Sequence, residues 1–143
     1  MKPLSGKSGV VYVIIGLTIF SYAEVWGANW KFLRMSKGGD NCYYDADSIT
    51  RPSKNIVRGS VKIVFSEKSV NREVERLGPS YKDLSHTIIL WEMNCIEKKA
   101  AFLETTTYSK NEKIIKSIKV KTITWASIVP ETMGEDLYKA LCN

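Results

Sequence analysis

The segment Ile56 to Phe65 reads IVRGSVKIVF, and its apolar members recur at every second position. Val57, Val61, Ile63 and Phe65 fall on one side, with Arg58, Ser60 and Lys62 on the other. A period of two belongs to extended backbone, in which successive side chains point to opposite faces. The segment therefore predicts a half-buried antiparallel strand, and whatever else this chain builds must cover that strand's apolar side.

The pattern repeats further along. Thr87 to Cys95 (TIILWEMNC) places Ile89, Trp91, Met93 and Cys95 on one face, and Ile88 and Leu90 make its start apolar on both sides, as in a central strand. Ile96 to Lys98 is about the length of a hairpin connection, so Lys99 to Tyr108 is its expected partner. A second hairpin is expected to turn at Ser109–Glu112 and return through Lys113 to Trp125. Two short strands precede these, around Trp30–Met35 and Cys42–Tyr44, separated by the turn-rich Lys37–Asn41. Glu67–Asp83 is polar, charged and without a clean period, and reads as a long surface loop with a helical turn at Val70–Leu77 at most.

One helix stands out. Thr132 and Glu135 have the spacing of a capping box, Glu135 and Asp136 lie at the positive end of the helix dipole, and Lys139 lies near its negative end. The helix is expected from about Met133 to Leu141, with Met133, Leu137, Ala140 and Leu141 as its apolar face. The fold class that follows is α+β: a single antiparallel sheet of about five to seven strands with a C-terminal helix packed on it.

Three cysteines allow three pairings, and spacing alone does not choose among them. Cys95 ends a strand and Cys142 ends the helix that must lie on that strand's sheet, whereas Cys42 sits at a short polar turn. Cys95–Cys142 is thus the favoured pair, and its closure would remove about 3–4 kcal/mol of unfolded-chain entropy. A disulfide implies an oxidising compartment. Lys2 and Lys7 ahead of the uncharged Gly9–Ala23 form the pattern of a secretory signal peptide, shorter than a membrane span. Cleavage is expected after Ala23, or after Gly27 at a second site, leaving 24–143 as one domain. The alternative is an inner-membrane anchor; no cysteine follows closely enough for lipidation.

The formal charge of +6 falls by the two leader lysines and stays positive, which favours polyanionic partners in general. No phosphate loop, nucleotide fingerprint or paired catalytic carboxylates appear, so neither an enzymatic activity, nor a cofactor, nor a nucleic-acid partner is expected. His86, the single histidine, rules out a multi-histidine metal centre and reads as a strand-edge surface residue. Asp40, Asp45 and Asp47 are better read as turn residues accepting backbone hydrogen bonds than as a cation site. Tyr43 and Tyr44, with Trp30 and Trp91, are candidates for an aromatic binding surface. Arg58, Lys62, Lys119 and Lys121 are candidates for a basic patch, weighed against the ordinary use of lysine to blunt strand edges.

Trp30 opening the first strand, Tyr43-Tyr44-Asp45 followed by Ser48-Ile49, the strand ending Glu92-Met93-Asn94-Cys95, and Trp125 with Ile128, Pro130 and the helix to Cys142 together resemble the bacterial surface-adhesin protein E-like domain. The resemblance implies an antiparallel sheet with a helix against it, a Cys95–Cys142 disulfide, and an envelope or extracellular address. For activity it implies adhesion to host extracellular-matrix and plasma proteins. Cys42 departs from the pattern, which leaves open a free thiol or a homodimeric bridge. Two functions are therefore expected: a displayed binding module, or alternatively a structural or accessory subunit of an envelope or extracellular assembly.

Overall fold

The structure is a computed structural model that describes residues 27–143. The leader and the cleavage position expected after Ala23 lie outside the described residues. Eight strands form one antiparallel sheet: β1 Trp30–Met35, β2 Asn41–Asp45, β3 Thr50–Ser53, β4 Ile56–Val64, β5 Leu84–Asn94, β6 Lys99–Ser109, β7 Ile114–Lys119 and β8 Ala126–Ser127. Two helices join them, α1 Glu67–Leu77 and α2 Met133–Cys142. The order across the sheet is β1-β2-β4-β5-β6-β7, with β3 beside β4 and β8 beside β6.

Register divides the side chains between two faces. Val57 stands opposite Met93, and Val61 opposite Ile89. These residues point to the face that receives α2, where Val57, Val61 and Met93 are fully buried with Leu137, while Leu141 is 1% exposed. Gly59 breaks the apolar alternation of β4 for a steric reason, since a Cβ there would lie 3.2 Å from Leu141 Cδ1. The helix docks closely where this side chain is missing. Its last turn is fastened by the Cys95–Cys142 disulfide, its Tyr138 hydroxyl donates to the Cys95 carbonyl at 2.9 Å, and Asp136 pairs with Arg34 Nε of β1 at 2.8 Å.

Thr132 caps α2 as expected, accepting from the Glu135 N–H at 3.4 Å. The reciprocal arm differs, because Glu135 accepts from the N–H of Glu131 rather than that of Thr132. Glu131 has φ 59°, which swings its N–H toward the helix and intercepts the carboxylate one residue early.

Glu67–Asp83 is not a loop. Ser66 caps a three-turn helix by accepting from the Ser69 N–H, and Pro79–Tyr81 adds a short 3-10 turn. Val70, Val74 and Leu77 recur at helical spacing, but the charges between them hide that period. The expected return strand through Trp125 also shortens. β7 stops at Lys119, and the chain then bends away before two residues pair again with β6. Pro52 belongs to β3, a strand found only on the outside of β4, where a missing N–H is tolerated.

Candidate functional site

The face opposite α2 is built from the other half of each alternation. Register brings Phe32, Tyr43, Lys62 and Ile88 into one row across β1, β2, β4 and β5. A neighbouring row carries Met35, Asn41, Val64, His86 and Tyr108. Among the described residues no helix lies over these rows. Phe32 and Met35 are 59% and 62% exposed, Phe32 meets Tyr43 edge to face with centroids 5.7 Å apart, and Lys62 Nζ stands 5.4 Å from the centre of the Trp30 ring. Aromatic edges and a cation over an indole make a surface that is both apolar and positively charged. Ile88 and Leu90, the second apolar side of β5, line a shallow groove of about 230 Å³ with Ser60, Glu104, Thr106 and Tyr108.

The adjacent tyrosines part company. Tyr43 belongs to the open face, whereas Tyr44 is half-buried against the core beneath α2. Trp30 shares the open face, while Trp91 packs on the α2 side against Phe102. The four expected basic residues do not form one patch. Arg58 and Lys62 share the open face, but the Arg58 guanidinium is tied to the buried carboxylate of Glu92. Lys119 stands across from Glu104 on β7, three strands from β4, and Lys121 lies beyond the end of β7. Lys62, which is in none of the described ion pairs, is thus the basic group beside the exposed aromatics of β1 and β2.

His86 is not a surface residue. It is 6% exposed, stacked on Tyr108 with centroids 4.9 Å apart, and its Nδ1 lies 2.9 Å from Ser85 Oγ. Burial, reinforced by the positive charge of Lys62 and only partly offset by Glu112, lowers its pKa and keeps the ring neutral. The aspartates act as turn acceptors. Asp45 Oδ1 accepts from the Asn29 and Asp47 N–H groups at 2.9 and 3.1 Å, and Asp40 accepts from the Ser66 N–H at 2.8 Å. Burial opposes ionisation of Asp40, but bonds from the Ser66 backbone and from the Ser69, Ser66 and Ser36 side chains outweigh it and lower its pKa.

Cys42 is not in the turn but inside β2, 4% exposed. It is a free thiol whose pKa is raised by burial and by Asp40. A shielded, protonated thiol is a poor nucleophile.

A sheet closed by a helix on one face and left aromatic and basic on the other defines a small disulfide-stapled binding module. The family model for surface-adhesin protein E matches residues 30–143, and the chain belongs to this family. Among solved structures, crystal form II of Haemophilus influenzae protein E is 16% identical, with a TM-score of 0.51 over 78% of this chain and 86% of that one. Another structure of Haemophilus influenzae protein E is 16% identical with a TM-score of 0.49, covering 78% of this chain and 83% of that one. No curated protein sequence matches.

Proposed function

We propose that the protein is an exported adhesin-type module, beginning at Glu24 or Ala28 after leader cleavage, that binds an extracellular protein through the open face of its sheet. One observation carries this reading: β5 is apolar on both faces through Ile88 and Leu90, β1 and β2 add Phe32 and Tyr43 to the same side, and α2 covers the other side. Exposed Phe32, with Tyr43, Trp30 and Lys62, supplies the kind of rigid aromatic anchors and single cation that dominate protein interfaces. The module is proposed to act by binding alone, outside the inner membrane. A polyanion such as a sulfated glycan would instead lean on Lys62, Arg58 and more distant lysines, and its binding would collapse with salt.

The test measures retention of residues 24–143 on immobilised host extracellular-matrix and plasma proteins and on heparin. Phe32→Ala and Tyr43→Ala should each weaken protein binding by about tenfold, the size of a moderate interface anchor. Lys62→Glu should weaken it less. Wild-type binding by both aromatic variants would overturn the proposal, and so would retention on heparin alone.

A further inference from the structure

β7 ends the strand order, and β6 is its single partner among the described residues. One row of its N–H and C=O groups is therefore unpaired, which is the template on which another extended chain can add. The edge carries one register shift, between Ile114 and Lys116 where they face Tyr108 and Thr107, and is regular beyond it. Four consecutive residues pair without a break, Lys116 with Thr107 through Lys119 with Glu104. The opposite edge, β1, is interrupted by a register shift between Phe32 and Arg34, and its Arg34 is committed to α2.

Lysines at 113, 116, 119 and 121 follow this edge. Blunting an edge explains lysine, but it does not explain leaving Ile114 61% exposed and Ile118 43% exposed beside it. Next to the edge, on the Lys116 side, runs a groove of about 290 Å³ lined by Leu77, Tyr81, Thr105 and Thr107 among others. It is placed to receive a side chain from an added strand. Charge selects the occupant. A second copy adding through its own β7 would set lysine against lysine, and one adding through β1 would bring Lys31 and Arg34 to the same lysines.

We propose that the outer edge of β7 is a strand-addition site for an extended acidic peptide segment, held by backbone hydrogen bonds, by Lys116 and Lys119, and by apolar contact with Ile114 and Ile118. The site is separate from the open aromatic face and does not depend on it.

The probe is a capped octapeptide of alternating glutamate and valine, titrated onto residues 24–143 by fluorescence anisotropy. Methylating every backbone nitrogen keeps the peptide's charges and removes its donors, and should weaken binding by at least about tenfold, as should Lys116→Glu with Lys119→Glu. Amide hydrogen exchange at Ser117 and Lys119, whose N–H groups point away from β6 because those of Ile118 and Val120 point toward it, should slow when the unmodified peptide is added. Phe32→Ala should bind this peptide like wild type, which separates the site from the open face. Equal binding of the methylated peptide, unchanged exchange across β7, or no binding of the unmodified peptide would each overturn the proposal. So would a dimer of the protein alone that Ile118→Asp dissolves, because that result gives the edge to a second copy.

Discussion

Val57 and Val61 are sealed under α2, while Arg58 and Lys62, one step along the same strand, look onto a surface that no helix covers among the described residues. The two faces share backbone, register and hydrogen bonds, so the difference between them lies in side chains alone. On the α2 side, Val57, Val61, Met93, Leu137 and Leu141 are closed off from water, and stability is concentrated in them. On the open side, apolar residues such as Phe32 and Met35 stay largely in water. Stability should therefore respond to substitutions on one face, and recognition to substitutions on the other.

The largest effect should come from the staple that holds α2 in place. The disulfide closes a separation of 47 residues, and the chain-entropy estimate for such a loop is about 4 kcal/mol. Cys95→Ser and Cys142→Ser should lose similar stability in denaturant unfolding, and the double variant should lose no more than either. A clearly additive double variant would show that the two sulfurs act separately. Next is Leu137→Ala, which empties a fully buried site on the covered face and should cost about 2–5 kcal/mol. Phe32→Ala on the open face should shift the same denaturation midpoint by no more than about 0.5 kcal/mol. Equal costs for these two would erase the contrast between the faces.

The smallest effect sharpens the contrast, since His86 is an enclosed residue on the open side. Its folded pKa is lowered below the ordinary 6.5. The unfolded chain thus takes up a proton first as pH falls, and the native state is weakened through that window. The melting temperature should drop between pH 7.5 and 5.5, and His86→Phe, which keeps the stack on Tyr108, should flatten that part of the profile. A wild-type profile flat over this range would show that the ring is not held neutral by its surroundings.

Much of this fold was legible because strong periods announce it. The alternation of Ile56–Phe65 and Thr87–Cys95 gave two central strands, and the spacing of Thr132 and Glu135 gave α2. The helix Glu67–Leu77 escaped notice because its three apolar residues are diluted by charge, although Ser66 ahead of the run was a readable cap. The candidate site was harder to read. Alternation says that Tyr43 and Tyr44 face opposite ways, but which one faces the helix depends on where α2 docks. His86 is enclosed by Tyr108 and the hairpin carrying Glu112, partners 22 and 26 residues away in sequence that no local pattern brings to it. The lysines of the expected patch were dispersed for a related reason: face membership follows from alternation, whereas distance across a sheet follows from strand order.

The bond between Arg34 and the last helix joins residues far apart in the chain: its guanidinium also donates to the Glu131 carbonyl at 2.8 Å across a separation of 97 residues. The hairpins β3–β4, β5–β6 and β6–β7 can form early from neighbouring sequence, but the first strand and the last helix meet only after nearly everything between them is ordered. Contacts of such long separation slow folding, because chain-closure entropy is spent before the contact rewards it. The last step of folding should accordingly be the docking of α2 onto β1, so the Cys95–Cys142 bond, which lies at the end of that helix, is made by a sheet already assembled and locks in the slowest contact of the fold.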